Sequence, residues 1–321
     1  MLRQLRAGWR RLVGGESGSE SGDGAARTAQ HWDNWQARVA QQPARYGDWA
    51  DHPVILGLLQ EELFGSPSVS VLDFFKASCP AFESAHALSL CCGDGAFERQ
   101  LVAAGVFGSV TGMDLSPARV EAANAARGEW AGRLAYEMGD ANSGAFGTAC
   151  YDVVFAKAAL HHVEALEAMF AGVRRCLRPG GRLAAIDFFG PTRFQWTDRQ
   201  LALANAFLQR LPDALVRRPD GSLHRNLQRP TVAHMIALDP SEAVRSGELL
   251  DALRASMRTE HELDAGGAVL NLVFDGAIVN NFEAGRPEHD AWIHEAFACE
   301  RAHMAAGDIG SDFKVIVARP A

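Results

Sequence analysis

The sequence predicts an α/β chain organised around a doubly wound parallel sheet with helices on both faces. Three observations lead there. From Ala87 to Asp187, short apolar runs alternate with stretches of helical periodicity, the pattern of strands joined by crossover helices. Three successive runs end in glycine or aspartate, as strands do where open parallel sheets bind ligands. The chain has 321 residues, 48% of them hydrophobic and 22% charged, enough for one large domain or a domain with a substantial insertion.

The elements are taken in chain order. Residues 1–30 read as a tail: Leu2, Leu5, Trp9 and Leu12 lie at helical spacing among arginines, and Gly14 to Gly24 is a Gly/Ser/acidic linker. The basic stretch could instead be a short helix docking weakly on a membrane surface or partner. Residues 31–80 read as a helical layer rich in aromatics (Trp32, Trp35, Tyr46, Trp49), either buried against the main domain or serving as a lid. Residues 81–190 form the core unit. Its strands are Ala87–Leu90, Ser109–Asp114, Leu134–Met138, Tyr151–Phe155 and Arg182–Asp187, and Ser116-Pro117 starts a helix as a cap followed by proline at the first turn. In residues 191–321, helices are expected at 197–211, 241–256 and 288–305, and strands near Met257–Leu263 and Phe313–Ala318. They read as an acceptor-side insertion followed by completion of the sheet.

Composition narrows the function. No apolar run approaches the roughly 18–20 residues a membrane span needs. A net charge of −8 argues against a protein that wraps nucleic acid. Cys79, Cys91, Cys92, Cys150, Cys176 and Cys299 form no Cys-x-x-Cys pair and no His/Cys metal spacing, so no metal is expected. With no secretory signal carrying an apolar core, the expected compartment is the cytoplasm.

The loop Cys91-Cys92-Gly93-Asp94-Gly95 lets a ligand approach the backbone near the positive end of a helix. A dinucleotide fingerprint wants a third glycine where Glu98 stands, so a ligand without a pyrophosphate fits better. Asp114 closes the second strand, where a carboxylate can accept both hydroxyls of a ribose. Asp140 closes the third, where its side chain or the amide of Ala141 can meet an adenine edge.

With these strand ends in place, the chain resembles the class I S-adenosylmethionine-dependent methyltransferases. The residues that carry the resemblance are Leu88-Ser-Leu-Cys-Cys-Gly-Asp-Gly95, Val110-Thr-Gly-Met-Asp-Leu-Ser116, Gly139-Asp-Ala-Asn142, Tyr151-Asp-Val-Val-Phe155, Ala159-Leu-His-His-Val163 and Leu177-Arg-Pro-Gly-Gly-Arg-Leu183. The resemblance implies a Rossmann-like, seven-stranded sheet whose last strand is antiparallel. It implies S-adenosyl-L-methionine as cofactor, held by Cys92, Gly93, Asp94, Gly95, Asp114, Leu115, Asp140, Ala141, Asn142 and Lys157. Two positions depart from the family: Ser89 replaces an acid that often helps hold the methionine amino group, and Cys91 replaces a glycine. The flanks Trp49-Ala-Asp-His-Pro53, Gly190-Pro-Thr-Arg-Phe-Gln-Trp196 and Leu238-Asp-Pro-Ser-Glu-Ala-Val-Arg-Ser246 look like one bacterial group within that family. The motifs dictate no substrate, but the members of that group resemble enzymes that decorate small molecules or surface glycans.

A sulfonium methyl is already activated, so its transfer needs in-line approach more than covalent catalysis. A hydroxyl or ammonium acceptor must also lose a proton, which makes His161, His162 and Asp187 the candidate bases. Arg193, Gln195 and Trp196, with Ser241, Glu242 and Arg245, are expected to line the acceptor side; Trp196 could equally be packing, and Glu242 with Arg245 an intrahelical ion pair. The expected function is therefore O- or N-methylation of a small molecule. The alternatives are another S-adenosylmethionine-consuming enzyme, a nicotinamide oxidoreductase, or a methyltransferase-like module without activity.

Overall fold

The computed structural model describes residues 24–39, 45–78 and 82–321. The basic stretch at the start of the expected tail lies outside the described residues. Residues 24–30, placed in the expected tail, instead belong to a helix that begins at Gly24.

Seven strands form one sheet: β1 (His86–Leu90), β2 (Ser109–Asp114), β3 (Leu134–Met138), β4 (Tyr151–Lys157), β5 (Leu177–Phe188), β6 (Met257–Gly266) and β7 (Phe313–Pro320). Their order is β3-β2-β1-β4-β5-β7-β6. The first five run parallel, and β7 lies antiparallel to both β5 and β6. This is the Rossmann-like seven-stranded arrangement with an antiparallel last strand.

Alternation along the strands sends side chains to two faces. Leu88, Leu90, Val154, Ala156, Leu183, Ala185 and Ile316 face one core, covered by α6 (Leu166–Cys176) and α9 (Ser246–Ser256). Ala87, Val110, Val153, Phe155, Ile186 and Val317 face the other, covered by α3 (Val71–Ser78), α4 (Ala96–Ala103) and α5 (Pro117–Ala125). Phe155 is fully buried there among Phe75, Phe97 and Phe107. A third core holds Trp49, Trp196, Phe207, Phe274 and Phe282, off the sheet. It unites α2 (Pro53–Phe64), α7 (Asp198–Arg210), α8 (Val232–Leu238), α10 (Leu270–Val273) and α11 (Pro287–Ala305).

Local signals explain the helix starts. Ser116 Oγ accepts from Arg119 N at 3.2 Å, and Pro117 leads the chain into α5. Thr197 and Gln200 form a reciprocal capping box on α7. The helix expected from 241 begins only at Ser246; residues before it make a turn pinned by Val244 N to His161 O (3.1 Å) and Arg193 N to Ala243 O (2.7 Å). Among the described residues, no helix is long and apolar enough to cross a membrane.

The strand order reverses between β1 and β4, which pair in parallel with Leu90 opposite Ala156. Crossovers on either side of that point leave to opposite faces, so a crevice opens beyond the carboxyl ends of these strands.

Candidate active site

The loops at the carboxyl ends of the strands build the crevice. After β1, Cys91 takes a left-handed φ of 50°, a strained setting for a side chain and one that explains why a glycine is common there in the family it resembles. Gly93 N donates to Asp114 Oδ2 at 2.8 Å, and Ser116 N donates to Asp114 Oδ1 at 2.9 Å. Asp114 thereby ties the first loop to the second. Gly95 has φ 70°, and a Cβ there would lie 2.5 Å from the Tyr136 ring, so only glycine fits. Asp94 Oδ1 accepts from Ala96 N (3.1 Å) as α4 opens.

After β3, Asp140 Oδ1 accepts from Asn142 N and Nδ2, both at 2.9 Å. Asn142 Oδ1 in turn accepts from Glu164 N and Ala165 N at 2.9 Å, joining this loop to the approach of α6. Ala141 is buried, and Lys157 Nζ sits 4.3 Å over the Phe97 ring.

A cavity at the crevice is lined by Trp32, Cys91, Asp114, Leu115, Arg119, Ala158 and His162. Of the residues expected to hold the cofactor, Asp114 and Leu115 lie in its wall; the cysteine there is Cys91, while Cys92 is buried with its N donating to Met113 O at 2.9 Å.

Trp32 comes from α1 (Gly24–Val39), which lies across this mouth. Its ring packs under Arg119 (4.2 Å) and edge-on to His162 (5.1 Å). Beside it, Asp33 Oδ1 accepts from Ser116 Oγ at 2.5 Å and Ala118 N at 3.3 Å, adding a carboxylate to the start of α5. Of residues 31–80, α1 covers the cavity with Trp32, whereas α2 packs against β6 and α11. Asp33→Ala is expected to weaken the cover by about 1–2 kcal/mol, which speeds amide exchange across residues 24–39 by a factor of roughly 5–30. Unchanged exchange there would show that Asp33 does not hold the cover down.

Beyond β4 and β5 lies a knot of buried charge. Asp187 Oδ2 accepts from Ala159 N and Leu160 N at 2.8 Å each, and Oδ1 accepts from Phe188 N (2.9 Å) and His161 N (3.3 Å). His161 Nδ1 lies 2.6 Å from the same Oδ1, and its Nε2 lies 3.4 Å from Glu242 Oε1. Burial works against a charged His161, but Asp187 and Glu242 override it and raise its pKa to about 10. Burial likewise opposes charge on Asp187, yet His161 and the backbone donors hold its pKa below the usual carboxylate value. Two of the three expected bases, His161 and Asp187, are therefore turned toward each other, and neither is in the cavity wall. His162 is in that wall; burial, then the charge of His161, push its pKa down to about 4.

The acceptor-side expectations change more. Trp196 is fully buried, stacked on Phe194 in the third core, so its role is packing. Arg193 holds a left-handed φ of 54° and donates from Nη1 to Glu242 O at 3.0 Å, bracing the turn that carries Glu242. Gln195 Nε2 donates to Pro230 O at 2.8 Å. Arg245 pairs on the surface with Glu167 and Glu248, not with Glu242. Ser241 Oγ donates to Asp239 Oδ1 at 2.7 Å and lies 3.1 Å from His162 Nδ1, so Ser241 and Glu242 do join the histidines.

Sequence reasoning does not single out Arg119 and Ala158 of the cavity wall, nor Glu98. Glu98 on α4 is buried, receives the Ser89 hydroxyl at 2.6 Å on Oε1, and leaves Oε2 without a hydrogen-bond partner. Burial raises its pKa to about 7. A buried carboxyl brought by the neighbouring helix thus lies beside Ser89. The sequence signal is its place in the first turn after Gly95, three residues on, where the dinucleotide fingerprint registers only a missing glycine.

Residues 88–185 match a family described as a methyltransferase domain. The chain is 36% identical over 103 residues to 27-O-demethylrifamycin SV methyltransferase of Amycolatopsis mediterranei, a match covering 32% of this chain and 38% of that protein. It is 39% identical over 83 residues to malonyl-[acyl-carrier protein] O-methyltransferase of Xylella fastidiosa, covering 26% of each. The chain thus spans well under half the length of these relatives. Among solved structures, the [4+2]-cyclase SpnF aligns over 94% of this chain and 99% of its own, at 16% identity and a TM-score of 0.52. Geranyl diphosphate C-methyltransferase from Streptomyces coelicolor aligns over 95% and 100%, at 15% identity and a TM-score of 0.52. Both matches are a likeness of fold.

Proposed function

We propose, from the methyltransferase domain that residues 88–185 carry, that the protein transfers the methyl group of S-adenosyl-L-methionine to a small molecule. The observation that carries this reading is Asp114, a buried carboxylate at the end of β2, joined to Gly93 and set in the wall of the crevice at the switch point. A ribose placed there puts its hydroxyls against a charged acceptor. Asp140 and the amide of Ala141 close the adjacent strand and serve the adenine edge. Glu98 offers its unpartnered oxygen to the methionine ammonium, the contact that Ser89 cannot make.

The chemistry asks mainly for alignment and for exclusion of water, since the sulfonium carries its own leaving group. The α1 cover with Trp32 supplies the second, and His162 marks the acceptor side of the cavity. A small molecule or surface glycan is the acceptor class suggested by the likeness of the Gly190–Trp196 and Leu238–Ser246 flanks to one bacterial group.

The test is calorimetry of the full chain with S-adenosylmethionine and S-adenosylhomocysteine. Both are expected to bind, and Asp114→Ala is expected to weaken each by about 1–3 kcal/mol. Absence of binding would overturn the reading, and an Asp114→Ala variant with undiminished affinity would remove the ribose assignment.

A further inference from the structure

Three ligand-type atoms converge beside the cavity, one ring nitrogen each of His161 and His162 and a carboxylate oxygen of Glu242, all within 4.8 Å of one another; on His161 the nitrogen that faces Glu242 is Nε2. Their side chains are nine-tenths buried or more. None of His161 Nε2, His162 Nε2 and Glu242 Oε1 has a hydrogen-bond partner, a costly state for buried polar atoms.

The hydrogen bonds around the rings fix which nitrogen each presents: His162 offers a lone pair directly, and His161, held charged by Asp187 and Glu242 in the absence of an ion, offers one when a metal displaces its Nε2 proton. Ser241 Oγ gives its proton to Asp239 Oδ1 (2.7 Å), so it must accept from His162 Nδ1–H at 3.1 Å, and the lone pair of that ring is on Nε2. His161 Nδ1 lies 2.6 Å from Asp187 Oδ1, the carboxylate–histidine arrangement that aims an imidazole Nε2 at a metal. Glu242 is held by its own backbone: its carbonyl accepts from Arg193 Nη1 at 3.0 Å, and the next turn is pinned by Val244 N to His161 O at 3.1 Å.

We propose that His161 Nε2, His162 Nε2 and Glu242 bind one divalent transition-metal ion, with Asp187 and Ser241 orienting the two rings. Two imidazoles and one carboxylate suit zinc, ferrous or similar ions better than magnesium or calcium, which favour all-oxygen sets. One ion would satisfy three orphaned atoms together, which the long 3.4 Å contact of His161 with Glu242 does not. Three protein ligands leave coordination positions for an oxygen donor, and His162 borders the cavity. A hydroxyl bound to such an ion is acidified, so the acceptor class is an oxygen nucleophile. That last step rests on the methyl-transfer reading; the site itself does not.

The experiment is titration of the EDTA-treated full chain with Zn²⁺ by calorimetry, and with Co²⁺ read by its visible ligand-field bands. One equivalent is expected to bind, with the cobalt spectrum of a nitrogen- and oxygen-ligated ion. Glu242→Gln keeps the shape of the side chain and His162→Ala removes one ring; each is expected to weaken binding at least about tenfold. No stoichiometric binding to the wild type would overturn the site, whatever the variants do. So would binding unchanged in a folded Glu242→Gln or His162→Ala protein, since the ion would then sit elsewhere, for example on Cys91. S-adenosylmethionine is titrated separately into the metal-free protein. If it fails to bind while zinc binds stoichiometrically, the methyltransferase reading falls and the metal site stands.

Discussion

Asp187→Ala is expected to destabilise the protein by about 3–5 kcal/mol, lowering its melting temperature by on the order of 10 °C if it folds at all. The carboxylate is fully buried and receives four backbone N–H groups, from Ala159, Leu160, His161 and Phe188, besides the His161 ring. Removing it strands those donors and leaves a histidine buried without its nearest counter-charge. Asp187→Asn is expected to be little better, because its amide points donors at donors. Differential scanning calorimetry of both variants checks this. A base at Asp187 would give the opposite pattern, intact stability with lost turnover, and that outcome would restore the catalytic role suggested by its place after the fifth strand.

Glu98→Gln is expected to do two opposite things: stabilise the fold at pH 8 and weaken S-adenosylmethionine binding. Burial holds the Glu98 pKa near 7 in the folded chain, against the ordinary value of 4.5. Below about pH 4.5 both folded and unfolded chains carry the proton, and the residue costs nothing. Between 4.5 and 7 the unfolded chain releases it first, so stability falls as pH rises; above 7 the loss is complete, at about 3–4 kcal/mol. Glutamine has no such loss, and its carbonyl can still accept from Ser89. Asp312, which burial and then Glu300 raise to about 8, adds the same trend to both proteins, so their difference isolates Glu98. Melting curves from pH 4 to 8 should converge at the acid end, diverge above about pH 5 and reach their full separation above pH 7. Calorimetry should show about tenfold weaker cofactor binding, because a neutral amide replaces a charged partner for the ammonium. Parallel melting curves at every pH would refute the buried-acid account, and unchanged affinity would separate Glu98 from the methionine end.

Much of the core was legible because its determinants are local. Ser116-Pro117 starts a helix by its own geometry, and alternation in Val153–Phe155 assigns faces to a strand without knowing its neighbours. The strand-end positions of Asp114 and Asp140 come from the same pattern. In the C-terminal third the periodicity still located α7, α11 and β6, but not what they face. Trp196 illustrates the limit: a large aromatic beside a strand end suits a pocket wall and a core equally, and the third core, assembled from α2, α7 and α10, took it.

Short-range patterning and turn chemistry act within a few residues, and they were enough to specify the parallel sheet, the switch-point crevice and the glycine loop. The pairing of polar groups lay beyond their reach and came from tertiary packing alone. Glu98 reaches Ser89, α1 brings Trp32 over the cavity, and Glu242 meets His161 across a long stretch of chain. Those meetings depend on how separate elements pack, and burial then sets the strength and charge of each group once water has left.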